Sequence, residues 1–189
     1  MRNVGTRSIL TPRLLLRRYL PKDASDVFSG WAGDARLTRP LHIPPLADLA
    51  ETKVVVRGWC FAYDEEPDYY RWAVTLQDSG TLIGSISAAS IDRFWEPSFV
   101  LVPRWQGKGY AKEALKGMLV YLADAAAADY FVACRFADNP ASGAVLSSAG
   151  FFPASPQELF GCRPAGRPES CLWYQLESKN LVRDIPVVF

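Results

Sequence analysis

Two periods of hydrophobic spacing alternate along this chain, and they predict its elements. Leu14-Leu15-Leu16, after Thr11-Pro12-Arg13, predicts a first strand. Pro21-Lys22-Asp23-Ala24 then opens a helix, because proline suits a first turn and Asp23 suits the positive end of the dipole. Ala24, Val27, Phe28 and Trp31 recur there at helical spacing. The prolines between Arg39 and Pro45 exclude regular helix and central strand, so an extended loop is expected. Leu46 to Tyr63 is helical in pattern, and Asp64 to Asp68 is a polar break. Tyr70 to Leu76 and Leu82 to Ala89 read as strands joined by a hairpin turn at Asp78-Ser79-Gly80, and Trp95 to Val102 as the next strand.

The strongest helical pattern runs from Tyr110 to Ala127. Ala111, Ala114, Leu115, Met118, Leu119 and Leu122 form its apolar face, and Lys112, Glu113, Lys116 and Asp124 fall mostly on the other. Tyr130 to Ala137 is a strand. Asp138-Asn139-Pro140 opens a short helix that ends at Gly150, and Glu158 to Cys162 with Cys171 to Leu176 form a closing hairpin. The end of the chain, Val182 to Phe189, is apolar and either docks on the body or meets another subunit. Hairpins and helical crossovers together predict an α/β (mixed α+β) fold: a mixed sheet with helices on both faces.

The 189 residues suit one domain, with a core over about residues 10–177 and a tail over 178–189. A net charge of +1 argues against nucleic acid as a partner. Arg13, Arg17 and Arg18 read as a solvated strand face. No apolar run is long enough to span a membrane and the first residues carry no apolar signal core, so a cytoplasmic protein is expected. Cys60, Cys134, Cys162 and Cys171 lack metal-binding spacing; no metal is expected, and reduced thiols are. Cys162 and Cys171 could face each other across the hairpin.

The chemistry concentrates at Pro103-Arg104-Trp105-Gln106-Gly107-Lys108-Gly109-Tyr110-Ala111, between a strand and a helix. Two glycines let the backbone pass close to a ligand, and the helix start offers unpaired N–H groups and a positive dipole end. That combination suits a pyrophosphate, and here the pyrophosphate of an acyl-CoA. A P-loop is excluded because Tyr110 follows Gly109, and the dinucleotide fingerprint fails because Lys112 stands where its third glycine belongs.

Arg104 to Ala111 resembles the acetyl-CoA motif of the GNAT acetyltransferases, [RQ]xxGx[GA]. Thr11 to Arg17, Thr38-Arg39 followed by Pro44-Pro45, Thr81 to Ile86, Asp138-Asn139-Pro140-Ala141-Ser142 and Ala149-Gly150-Phe151 resemble the ribosomal-protein alanine N-acetyltransferase (RimJ/RimL) branch. The resemblance implies a GNAT-like, largely antiparallel sheet of about seven strands, splayed between its fourth and fifth. It implies acetyl-CoA as co-substrate. Phe99, Val100, Leu101 and Val102 would line the pantetheine arm, and Gln106, Gly107, Lys108, Gly109, Tyr110 and Ala111 would hold the pyrophosphate. Asn139 and Ser142 would lie along the pantetheine and thioester.

Direct transfer to a primary amine in a ternary complex needs a base, an oxyanion donor and a proton for the leaving thiolate. A backbone N–H near Val100 or Leu101 would serve the oxyanion. The resemblance makes Ser142 the candidate acid and Glu96 the candidate base, with Asp92 in reserve. Pro97, where the branch has an aliphatic residue, tells against the placement of Glu96. His42, the only histidine, sits in the expected substrate loop; it is a candidate for acceptor binding and an alternative base. Trp95 is a candidate wall of the acceptor groove, with Phe94, Tyr70, Arg71 and Trp72 weighed beside it. The loop 39–46 holds no acidic residue and Asp64-Glu65-Glu66 is expected far off, which favours a peptide N-terminus or neutral amine over a polyamine. Two other functions fit: a silent CoA-binding sensor or scaffold, and a transferase using another acyl-CoA. Monomer and homodimer both remain open.

Overall fold

The computed structural model describes residues 4–91, 94–159 and 170–189. Its centre is an eight-stranded sheet in the order β1-β2-β3-β4-β5-β6-β8-β7. The strands are β1 (Ile9–Leu10), β2 (Leu14–Arg17), β3 (Tyr70–Leu76), β4 (Leu82–Ile91), β5 (Phe94–Leu101), β6 (Tyr130–Arg135), β7 (Phe152–Ala154) and β8 (Leu172–Glu177). All neighbours are antiparallel except β5 and β6. The extra strand over the expected seven is β1, two residues long. The closing hairpin is also different: β8 pairs with Phe152–Ala154, in the register Phe152↔Gln175 and Ala154↔Trp173, instead of with Glu158 to Cys162. Cys162, and with it any pairing to Cys171, lies outside the described residues, as does Asp92.

Helices cover both faces. On one lie α4 (Tyr110–Ala125) and α5 (Pro140–Ser148), packed through Leu115, Met118, Leu119, Leu122 and Leu146 onto Leu14, Leu16, Trp72, Val74, Ile83, Ile86 and Leu101. On the other lie α1 (Ala24–Val27), α2 (Ala35–Thr38) and α3 (Leu49–Glu65); Val27, Trp31, Val56 and Tyr63 meet Ala73, Leu82 and Val100 there. Adjacent residues such as Val100 and Leu101 serve opposite cores, as the pleat requires. Asp48 caps α3 by accepting the Glu51 N–H at 2.8 Å. The expected loop after Thr38 begins instead as a 3-10 turn, Arg39–Leu41, which proline at its start permits.

Glu113 and Lys116 are buried, 6% and 2% exposed, against the expectation of a solvated helix face. Each has a partner from a chain end. Lys116 Nζ donates to Asp184 at 2.5 Å, and Arg183 makes two bonds to Asp124, at 2.6 and 2.8 Å. Val188 exchanges backbone hydrogen bonds with Leu10 at 2.8 and 3.0 Å, and Phe189 meets Tyr121 edge-on at 5.1 Å. The tail thus docks on its own body. Of the basic residues around β2, Arg13 and Arg18 are exposed, as a solvated face requires, but Arg17 is half-buried and bidentate to buried Asp23 at 2.7 and 3.0 Å, and Arg13 also binds Glu113. Among the described residues, no helix is long and apolar enough to cross a membrane.

Hydrogen bonds from Arg183 hold Asp124, and one from Lys116 holds Asp184, below the ordinary aspartate range. A lowered folded pKa contributes stability above the unfolded value of about 4, and the contribution is lost as pH falls through the folded value. The protection of the Leu10 and Val188 amides, relative to their intrinsic exchange rates, is therefore expected to fall between about pH 5 and pH 2, ahead of that of amides at the sheet centre. Exchange that follows the sheet centre throughout would show that apolar contacts alone seat the tail.

Candidate active site

The feature that shapes the site is a divergence of strands. β5 and β6 pair only at Phe94↔Tyr130 and Trp95↔Phe131. Beyond that point β6 continues against β8 and β5 continues against β4, so Glu96 to Leu101 has one unpaired edge. Pro97 leaves the β4–β5 register unbroken, with Glu96↔Ala89, Pro97↔Ala88 and Ser98↔Ser87. Glu96 stays in the strand, half-buried.

After β5 the chain makes a 3-10 turn at Pro103–Trp105 and enters the glycine loop. Gly107 and Gly109 have φ of +73° and +80°, a region costly for other residues, and Gly109 is the N-cap of α4. Gln106 Nε2 donates to the Leu101 carbonyl at 2.9 Å, tying the loop to the end of β5. From behind, Glu113 Oε1 accepts the Thr11 hydroxyl and the Arg13 N–H, each at 2.7 Å, and Oε2 accepts Arg13 Nε at 2.6 Å. Arg13 then donates to the Lys108 carbonyl at 3.1 Å and stacks over the Tyr110 ring at 4.5 Å. The loop is therefore braced by the turn before β2, a role that sequence inspection missed for both Arg13 and Glu113.

A groove of about 660 Å³ runs along the open edge to this loop. Phe99, Val100, Leu101, Gln106, Gly107, Gly109, Tyr110, Ala111, Asn139 and Ser142, all expected along the donor, line it together. Two predicted residues do not. Val102 turns to the opposite core, where a Cβ on Gly30 would lie 2.8 Å from its methyl. Lys108 folds its ammonium over Trp105 at 4.7 Å. The charged residues on the groove wall are Arg36, Arg39, Lys112 and Asp138, three cations to one carboxylate. Arg36 is held by Asp34 at 2.7 Å and Arg39 by Asp138 at 2.9 Å.

Asn139 caps α5, accepting the Ser142 N–H at 3.2 Å while its own amide donates to Ser142 Oγ at 2.9 Å. With that oxygen accepting, the Ser142 hydroxyl proton is left to point elsewhere. Ser142 lines both the groove and a narrow throat of about 40 Å³ between the diverging strands, walled by Pro40, Leu41, His42, Glu96, Pro97 and Cys134 among others. His42 is a left-handed residue with φ 58° at the end of the 3-10 turn, its ring 4.7 Å from Phe136.

Beyond the throat opens a second cavity of about 400 Å³, over β3, β4 and β5. Tyr70, Arg71, Glu96, Ser98 and Phe99 line it, and so do Asp68 and Glu66, the latter against the expectation that Asp64-Glu65-Glu66 lies far off. Phe99 lines all three spaces. Trp95 does not reach this cavity; it is 2% exposed and meets Tyr70 edge-on at 4.8 Å in the core. Trp72 is buried too, donating to the Arg7 carbonyl at 2.6 Å, and Phe94 packs on Tyr130 at 5.7 Å. Near the throat, donor atoms of His42, Cys134 and Cys171 lie within 4.8 Å of one another. Tetrahedral zinc would bring thiolates to roughly 3.8 Å, and we assign no metal to this group.

The fold is α/β, with an anion loop at a helix start beside a strand edge left open by its parallel neighbour. The acetyltransferase (GNAT) domain model matches residues 13–152, and the chain belongs to that family of N-acetyltransferases. No curated protein matches it in sequence. Solved structures share the fold. A GNAT-family acetyltransferase from Bacillus anthracis superposes with TM-score 0.73 at 20% identity, over 92% of this chain and 99% of its own. Ribosomal-protein-S5-alanine acetyltransferase from Vibrio fischeri gives 0.71 at 16% identity, over 93% and 98%. Spermidine N-acetyltransferase from Vibrio cholerae, solved with CoA and spermine, gives 0.70 at 17% identity, over 88% and 96%.

Two outcomes follow for donor binding. Gly109→Ala forces a left-handed alanine at a cost of roughly 1–2 kcal/mol, so calorimetry should show acetyl-CoA bound about 5- to 30-fold more weakly. Unchanged affinity would mean the loop does not hold the donor. Glu113→Gln removes the charge that two side chains and one amide converge on, and is expected to lower stability by about 1–3 kcal/mol and to weaken acetyl-CoA binding with it. Denaturant melts and the same titration check both.

Proposed function

We propose that this protein transfers an acetyl group from acetyl-CoA to a primary amine by direct attack in a ternary complex. The observation that carries this reading is the shared wall at Phe99, which lines the anion-loop groove, the throat and the second cavity alike. In this reading the loop from Gln106 to Ala111 holds the pyrophosphate and the open edge of β5 bonds the pantetheine arm. The second cavity takes the acceptor.

The reaction then divides among few groups. Glu96, on the wall of both throat and acceptor cavity, takes a proton from the incoming ammonium, directly or through water. The amine nitrogen attacks the thioester carbon as a backbone N–H near Val100 or Leu101 steadies the oxygen. The C–N bond forms, the C–S bond breaks, and the Ser142 hydroxyl protonates the thiolate, to be reprotonated from the nitrogen that has become an amide. One proton is released overall. The throat is narrow, about 40 Å³, and among the described residues neither lysine nor arginine lines it to receive an acidic acyl group. This favours acetyl over succinyl. The unbroken pairing of β5 through Pro97 favours an enzyme over a silent scaffold.

Release of CoA thiol from acetyl-CoA, with small amines and Ala- or Ser-initiated peptides as acceptors, tests the reading. Turnover is expected, with kcat reduced about 10²-fold or more in Glu96→Gln and in Ser142→Ala. Turnover untouched by either change would remove both from the mechanism. Binding of acetyl-CoA with no turnover on any amine would favour the scaffold.

A further inference from the structure

The second cavity has a sign. Its charged wall residues are Glu66, Asp68, Glu96 and Arg71, three carboxylates to one guanidinium. The donor groove has the opposite balance, three cations to one carboxylate, in a chain whose net charge is only +1. Arg71 is engaged, with Nε donating to the Tyr69 hydroxyl at 3.0 Å and its guanidinium 4.6 Å above the Trp59 ring. Glu66 ends α3 and Asp68 lies in the connection to β3; both are exposed at the cavity mouth, and neither forms an ion pair among the described residues. Glu96 is at the opposite, throat end. Between them the wall combines apolar and aromatic residues, among them Leu41, Ile43, Tyr70 and Phe99, with the serines Ser85, Ser87, Ser90 and Ser98. Trp31, 1% exposed, is part of it, and its indole N–H has no hydrogen-bond partner among the described residues. The volume, about 400 Å³, falls in the range of small-ligand sites (roughly 300–1,000 Å³).

We infer that the acceptor is a primary amine carrying a second positive charge. Glu66 and Asp68 hold that second charge at the mouth, the aromatic wall packs its apolar spacer, and the reacting amine reaches Glu96. This inference rests on the acetyl-transfer reading above. A di- or polyamine and a peptide N-terminus followed by lysine share this chemistry.

The test pairs charged and uncharged acceptors of equal length in the full-length protein: 1,4-diaminobutane against butylamine, and Ala-Lys against Ala-norleucine peptides. The ratio of kcat/KM, charged over uncharged, is expected to be tenfold or more in at least one pair, and which pair shows it tells the small amine from the peptide. In Glu66→Gln/Asp68→Asn that ratio should fall towards one, through KM, and raising the salt to about 0.5 M should lower it in the unaltered protein. A ratio near one before any substitution overturns the inference while leaving acetyl transfer intact. So does a high ratio that the double substitution does not move. If no acceptor turns over, acetyl transfer fails separately. Titration of 1,4-diaminobutane and butylamine into the CoA-loaded protein then decides: preferential diamine binding lost in the double variant supports the inference, and equal binding overturns it.

Discussion

The molecule is organised by the early parting of β5 from β6. Two residue pairs hold these parallel strands together, Phe94↔Tyr130 and Trp95↔Phe131, and then each follows a different partner. A sheet does not part in this way without consequence, because buried backbone N–H and C=O groups without partners cost free energy. Here the unpaired edge faces a groove, where water or a ligand satisfies it. Each wall of the parting is supported from behind: β5 by eight consecutive pairs with β4, β6 by six with β8. The gap is therefore a fixed shape. The glycine loop, the throat and the two cavities all take their positions from it.

A second constraint ties the loop to the rest of the chain. Glu113 is a buried carboxylate, and burial of a charge is tolerated only when hydrogen bonds surround it. It receives them from Thr11 and Arg13, about a hundred residues earlier, and Arg13 passes the constraint to the Lys108 carbonyl. The conformation of the loop is thus maintained by a charge that never faces the groove. Lys116 and Asp184 play a similar part at the next turn of α4, drawing the tail onto the helix.

These two pairs also mark where the sequence stopped being legible. The extents of α4 and α5, the β3–β4 hairpin and the glycine loop could be read because their signals are local: apolar period, capping residue, turn residue. A charge on a helix reads as solvent-facing unless its partner is known, and the partners of Glu113 and Lys116 stand 100 and 68 residues away. Strands β1 and β7 span two and three residues, too short to display a period. Trp95 and Val102 were misplaced for a related reason. Trp95 lies in β5 and Val102 just beyond its end, and the face each side chain takes depends on the packing of both layers. Glu66 and Asp68 look like an ordinary polar break, and only the path of the chain from α3 into β3 brings them over the sheet.

That path matters chemically because the two ends of a doubly charged acceptor would need opposite surroundings. An amine that attacks a thioester must be neutral, and neighbouring carboxylates favour the ammonium. Carboxylates gathered around the reacting nitrogen would bind the acceptor well and hold it unreactive. The throat has instead Pro40, Leu41, Pro97, Phe99 and Leu146 around a single half-buried carboxylate, Glu96. Such a wall disfavours a gathered charge and leaves Glu96, with His42 beside it, to take the proton. The mouth is exposed, where an ammonium keeps part of its hydration and a carboxylate pair costs little to maintain. Placing Glu66 and Asp68 at the mouth separates holding from reacting, so that affinity gained at one end of the acceptor does not raise the barrier at the other.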